Sequence, residues 1–141
     1  MSKKTILLVE DNQDDIDLTK RALKKSKYAG EIKLEVATDG VEAIEYLNND
    51  SEKPFLVLLD LNLPRVNGFQ VLRKIKNDDI LKFIPLIILT SSREKEDMIK
   101  SYELGANGYI QKPIDFNNFI DVIRKIGEYW IEINKHPHTI S

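Results

Sequence analysis

Glu10 and Asp11 close one apolar run, Ile6 to Val9, and Asp60 closes another, Phe55 to Leu59. If both runs are parallel strands, their carboxyl ends lie side by side, where ligands collect in open α/β sheets. Three carboxylates that close together need a cation. The donor set is oxygen only, which suits a hard ion such as Mg²⁺ and not zinc or copper, which prefer His or Cys. An Asp beside such an ion can attack phosphorus and form an aspartyl phosphate. That reaction is mainly positioning and charge neutralisation, and it calls for an ammonium and a hydroxyl around the phosphoryl oxygens. Lys112, just past the run Gly108 to Ile110, offers the ammonium, and Thr90, at the end of Leu86 to Leu89, offers the hydroxyl. Taken singly, each acid also reads as an ordinary polar strand end, Thr90 as a helix cap and Lys112 as an exposed lysine.

The elements that must position these groups follow from the hydrophobic pattern. Apolar runs recur at Thr5 to Val9, Ile32 to Thr38, Phe55 to Leu59, Leu86 to Thr90 and Asn107 to Ile110, each followed by a helix-period segment. That alternation predicts a parallel sheet covered on both faces. Ile32, Leu34 and Val36 alternate with polar residues, as in a strand half open to water, so the second strand is expected to flank the sheet. Helices are expected over Asp14 to Tyr28, Gly40 to Asn49, Phe69 to Lys76, Arg93 to Leu104 and Phe116 to Ile133, with Gly105 as a stop. Asp14, Asp15 and Asp17 fall in the first turn of the first helix, where acids suit the helix dipole, and are read as caps and not as ligands.

Composition narrows the classes. The 141 residues fit one domain, expected over residues 1–134, with residues 135–141 as a disordered tail. Cys is absent, which removes disulfides and thiolate sites and is compatible with a cytoplasmic protein. No apolar stretch approaches a membrane span, so no membrane partner is expected. The 21 Lys and Arg nearly balance 23 Asp and Glu, so no overall field favours nucleic acid. The local cluster Lys20, Arg21, Lys24, Lys25 and Lys27 reads as the solvated face of the first helix. His136 and His138 lie in a polar, Pro-containing end and read as neither metal ligands nor phosphodonors.

With these residues in order, the sequence resembles the response-regulator receiver domains of two-component signalling. The resemblance rests on Glu10 and Asp11, on Leu59-Asp60-Leu61-Asn62-Leu63-Pro64 with Gly68 beyond, on Leu89-Thr90-Ser91, and on Tyr109 with Lys112 and Pro113. It runs from about Lys4 to about Ile126. The segments LVLLDLNLPR, IPLIILTSS and LGANGYIQKP look like those of single-domain receivers that serve phytochrome-type sensor kinases. The resemblance implies a flavodoxin-like, doubly wound five-stranded parallel sheet of order 2-1-3-4-5. It also implies that Asp60 is the phosphoryl acceptor and that Asp11, Asp60 and the Asn62 carbonyl ligate Mg²⁺, with Glu10 as a direct or water-mediated partner. Thr90 and Lys112 would contact the phosphoryl group, Tyr109 would be the aromatic switch coupled to Thr90, and Pro113 would follow a cis bond. Glu10 departs from the Asp that many members carry.

The implied role is a stand-alone phosphoacceptor that catalyses only its own phosphorylation and dephosphorylation, with a sensor histidine kinase as donor. Output would pass through helix 4, strand 5 and helix 5 to a downstream protein or phosphotransfer partner. In the last helix, Tyr129, Trp130 and Ile133 extend the apolar surface beyond what one sheet covers, so a homodimer through it is a further expectation. Three other readings stay open. A Mg²⁺-dependent phosphatase with an Asp nucleophile would want an acid two residues after Asp60, where Asn62 stands. A flavodoxin-like redox protein would have its cofactor phosphate repelled by Glu10, Asp11, Asp14 and Asp15. A docking module that ignores phosphate would not need Asp11, Asp60, Thr90 and Lys112 together.

Overall fold

The computed structural model describes residues 3–49, 53–112 and 115–135. The expected cis bond at Pro113 and the residues His136 and His138 lie outside the described residues.

Five strands and five main helices alternate along the chain: β1 (Lys4–Val9), α1 (Gln13–Lys25), β2 (Ile32–Ala37), α2 (Gly40–Asn48), β3 (Leu56–Leu59), α3 (Gly68–Lys76), β4 (Leu86–Thr90), α4 (Lys95–Glu103), β5 (Gly108–Gln111) and α5 (Phe116–Gly127). All neighbouring strands pair in parallel, in the order β2-β1-β3-β4-β5. This is the doubly wound flavodoxin-like fold expected from the sequence. The half-polar strand is indeed an edge strand, with Leu34 and Val36 only partly covered.

The period-two alternation of the central strands sorts their side chains between two cores. Leu7, Val9, Val57, Leu59, Leu86 and Ile88 face Ala43 and Leu47 of α2 and Val71, Leu72 and Ile75 of α3. Ile6, Leu8, Leu56, Leu58, Ile87 and Leu89 face Ile16, Ala22 and Leu23 of α1 and Phe119, Ile123 and Ile126 of α5. By contrast α4 buries only Ser101, leaving Met98, Ile99 and Tyr102 exposed.

Several boundaries differ from expectation for local reasons. α1 ends at Lys25 because Ser26 is extended, and its side-chain oxygen accepts from Tyr28 N–H at 3.0 Å, turning the chain. α4 begins at Lys95, two residues late, because Ser92 instead closes a loop by donating to Asp97 at 2.6 Å. A 3₁₀ turn at Leu81–Phe83, not foreseen, is capped from before by Asp78, whose Oδ1 accepts from Ile80 and Leu81. The last helix runs to Ile133 as expected, but from Glu128 it widens to π spacing. There Tyr28 packs so closely on Gly127 that a Cβ would come 2.4 Å from its ring, and Lys27 pairs with Glu132 at 3.1 Å. No described helix is long and apolar enough to cross a membrane.

Candidate functional site at the strand ends

Parallel pairing puts the ends of β1, β3, β4 and β5 at one edge, and the register decides which groups meet. Val9 is opposite Leu59, and Asp60 N–H donates to Val9 C=O at 3.0 Å, so Glu10 and Asp60 are neighbours. Thr90 is opposite Gln111, and Lys112 N–H donates to Thr90 C=O at 2.7 Å, which brings the lysine to the same edge. The strand order reverses between β1 and β3, the position at which such sheets open a crevice.

The site is buried to an unusual degree for charged groups. Glu10 is 1 % exposed, Asp60 6 %, Lys112 8 % and Thr90 0 %, while Asp11 is open to solvent. Carboxylate oxygens of Glu10, Asp11 and Asp60 all lie within 4.8 Å of one another. Lys112 Nζ bonds to Glu10 Oε1, donates to Asp15 Oδ2 at 2.9 Å and lies 3.6 Å from Asp60 Oδ2. Backbone amides complete the carboxylate shells: Asn12 N–H donates to Glu10 Oε2 at 3.3 Å and Asn62 N–H to Asp60 Oδ1 at 3.2 Å.

Electrostatics follow from that burial. Removal from water pushes the Glu10 pKa up from 4.5 to about 7, and the Asp60 charge adds to the rise against the opposing pull of Lys112. Burial works against the charged form of Lys112, but its hydrogen bonds to Glu10 and Asp15 and the nearby Asp60 prevail and raise its pKa. One ammonium thus serves four carboxylates, counting Asp11 beside the three it touches. The surplus negative charge and the oxygen-only donors fit a hard divalent cation held by Glu10, Asp11 and Asp60.

The readings of Thr90 as a helix cap and of Lys112 as an exposed lysine do not hold. Lys112 is buried, and the residue at the start of α4 is Glu94, not Thr90. Thr90 Oγ1 accepts from Ser92 N–H at 3.3 Å. Tyr109, half-buried on β5, has a buried hydroxyl that makes no well-formed hydrogen bond among the described residues, and burial raises its pKa against the pull of nearby Ser92, with the Asp97 and Asp60 charges adding to the rise.

Asp15 was not anticipated at the site. The N-cap of α1 is Asn12, whose Oδ1 accepts from Asp15 N–H at 3.0 Å, and the Asp15 side chain is thereby free to reach Lys112. The acidic stretch Asn12 to Asp17 was visible in the sequence, but a partner 97 residues away has no local signal.

Known proteins share this fold and much of this sequence. Residues 6–124 match the response regulator receiver domain family. The response regulator Rcp1 of Synechocystis sp. is 39 % identical over 134 residues, covering 92 % of this chain and 90 % of Rcp1. A probable methanogenesis regulatory protein, FilR2, of Methanothrix harundinacea is 38 % identical over 136 residues, covering 94 % of this chain and 86 % of FilR2. Among solved structures, the phosphorylated cyanobacterial phytochrome response regulator RcpA superimposes with a TM-score of 0.89 at 37 % identity, over 96 % of this chain and 99 % of that one. The Mn²⁺-bound form of Rcp1 gives 0.86 at 37 % identity, over 95 % and 99 %.

Proposed function

The chain belongs to the response regulator receiver family, and from that premise we propose that it takes a phosphoryl group from a sensor histidine kinase onto Asp60 and signals through α4, β5 and α5. The observation that carries the reading is the convergence of Asp60, Glu10, Thr90 and Lys112, all buried, at the topological switch point of the sheet. A structural cluster would have no need of so much unbalanced negative charge in so little water.

In this reading an Asp60 carboxylate oxygen attacks phosphorus. An O–P bond forms as the P–N bond of the phosphorylated donor histidine breaks, and the electron pair stays on the imidazole nitrogen. Asn62 N–H, already bonded to Asp60 Oδ1, fixes the carboxylate so that the other oxygen is the one presented. A divalent ion, Mg²⁺ in our proposal, would be held by Glu10, Asp11, Asp60 and the Asn62 carbonyl, and when bound supplies positive charge against the phosphoryl oxygens. The Mn²⁺-bound state of Rcp1 supports a divalent ion in this role. Lys112, 3.6 Å from Asp60 Oδ2, is placed to neutralise a further phosphoryl oxygen, and the Thr90 hydroxyl to donate to another. The Tyr109 hydroxyl, buried beside Ser92 without a well-formed hydrogen bond, is poised to move with Thr90.

The output face is supported by exposure. Met98, Ile99 and Tyr102 on α4 and Tyr129 and Ile133 beyond α5 are exposed, and a groove of about 370 Å³ lies between β5 and the last helix, lined by Tyr109, Val122, Tyr129 and Trp130 among others. A downstream protein or a second copy of the chain would cover it, and a cytoplasmic setting suits a kinase donor. Beryllofluoride with Mg²⁺ tests the reading. Amide resonances of Thr90, Tyr109, α4 and β5 are expected to shift in the wild type and not in Asp60→Asn. Shifts confined to Glu10, Asp11 and their neighbours would contradict a signalling role for that face.

A further inference from the structure

The loop from Asp60 to α3 is closely packed where it approaches α3. Where it enters α3, Gly68 lies so close to the site that a Cβ there would fall 2.4 Å from Asp60 C=O. Where it passes α2, a Cβ on Gly40 would fall 1.9 Å from Val66 C=O, so the first turn of α2 lies directly against the loop backbone. Immediately before Val66 stands Arg65, the one described residue other than glycine with positive φ, at 63°. Left-handed backbone is unfavourable for a residue with a Cβ and persists where surroundings impose it.

The exposed Arg65 side chain reaches back from this position as a fork. Arg65 Nε and Nη2 both donate to Asp39 Oδ2, at 3.0 and 2.7 Å, across 26 residues of sequence. Asp39 is itself fixed, because its Oδ1 accepts from Glu42 N–H at 2.8 Å as the N-cap of α2. Glu42 in turn accepts from the Thr38 backbone and hydroxyl, which ties the cap to the end of β2. The chain of contacts therefore runs from a strand end, through a helix cap, to the loop that carries Asn62, whose amide holds Asp60.

We propose that Arg65 and Asp39 form a positioning clamp that holds the Asp60-to-α3 loop in register with the carboxylate site, and so sets its divalent-metal affinity and the lifetime of a phosphoryl group on Asp60. The inference rests on the reading of Glu10, Asp11 and Asp60 as a metal site and Asp60 as acceptor. Neither clamp residue touches the reacting atoms; both act through Asn62. An ordinary surface ion pair would add little and would tolerate any geometry. Here two guanidinium donors share one oxygen of a carboxylate whose other oxygen is already fixed in the α2 cap, so the pair joins the loop to a defined point on the helix.

Two variants separate the clamp from its surroundings. Asp39→Asn keeps an oxygen for the α2 cap but loses the charge, and Arg65→Gly accepts φ of 63° without the fork. Mn²⁺ affinity measured by electron paramagnetic resonance, amide hydrogen exchange over residues 61–68, and melting temperature are compared with the wild type. Each variant is expected to weaken Mn²⁺ binding about tenfold, the scale on which supporting contacts tune metal sites. The double variant should be no weaker than either single, Arg65→Lys should fall between, and exchange at Gly68 should quicken while the melting temperature moves little. With acetyl phosphate and Mg²⁺, the adduct on Asp60 should decay faster in both. Unchanged Mn²⁺ affinity and exchange in both variants would overturn the clamp with the metal site intact. Affinity losses that merely track lost thermal stability would also overturn it, and a wild type that binds no Mn²⁺ would overturn the clamp and the site reading together.

Discussion

At the scale of single residues, the molecule places a glutamate where its charge is hard to keep. Burial raises the Glu10 pKa from 4.5 to about 7. Between those values the native state binds more protons than the unfolded one, so this group's contribution to stability falls as pH rises from about 4.5 to about 7 and stays low above that. The melting temperature in EDTA, compared between wild type and Glu10→Gln, checks the sign. The variant, neutral throughout, should gain several degrees on the wild type at about pH 8 and nothing at about pH 5. Parallel profiles would mean that Glu10 is not destabilised by burial. Added Mg²⁺ should lift the wild type at the higher pH and leave Glu10→Gln almost unmoved, because ligand binding stabilises in proportion to affinity. The acids at strand ends were legible as a candidate metal site from Glu10, Asp11 and Asp60 alone. The contact of Asp15 with Lys112 was not, since the helix-dipole rule explains an acid in a first turn without any partner.

At the scale of elements, the junction between β3 and α3 matters most. α3 starts with a reciprocal cap, Asn67 Oδ1 accepting from Gln70 N–H at 3.1 Å and Gln70 Oε1 from Asn67 N–H at 3.0 Å. Asn67→Ala should cost about 1 kcal/mol in a denaturant titration, as cap losses do. Gly68→Ala should cost more, about 2–4 kcal/mol, because its Cβ would collide with backbone at Asp60 and Leu61, which cannot step aside without moving the site. A Gly68→Ala protein of wild-type stability would show that the loop yields. The helices over α2 and α3 and the strands were readable because their apolar spacing is strong. The starts of α1 and α4 and the end of α1 were misplaced by one to three residues because local side-chain bonds decide them, from Asn12 and Ser26 to backbone amides at the ends of α1 and from Ser92 to the Asp97 carboxylate before α4. The π spacing after Gly127 had no pattern of its own, since Tyr129, Trp130 and Ile133 read as a continued α-helical stripe, and the clamp between Arg65 and Asp39 depends on a backbone angle that no spacing rule reports.

At the scale of the whole molecule, buried surface is concentrated at the centre of the sheet, away from the proposed signalling face. The centre, β1, β3 and β4, is covered on both faces, and Ile88 is fully buried. Ile88→Ala should cost about 2–5 kcal/mol, as other core truncations to Ala do. Ile99→Ala on α4, where the side chain is exposed, should be nearly neutral for folding. Native-state hydrogen exchange should show the same division, with α4 opening far more readily than β1 or β3, as expected of an element with so little buried surface. Equal protection of α4 and the central strands would contradict this division. The core and its topology were legible as a whole because they rest on one repeated βα pattern, whereas the sparse packing of α4 shows only once its partner strand is in place.

The central claim is that Asp60 accepts a phosphoryl group with the help of Lys112 and a divalent ion. Its most direct measurement is intact-mass spectrometry, with peptide mapping, of wild type and Asp60→Asn after incubation with acetyl phosphate and Mg²⁺. One phosphoryl adduct is predicted on the wild type, mapped to the peptide holding Asp60, lost on chelation of Mg²⁺ during loading and absent from Asp60→Asn. An equal adduct on both proteins, or an adduct on the wild type that maps elsewhere, would contradict it.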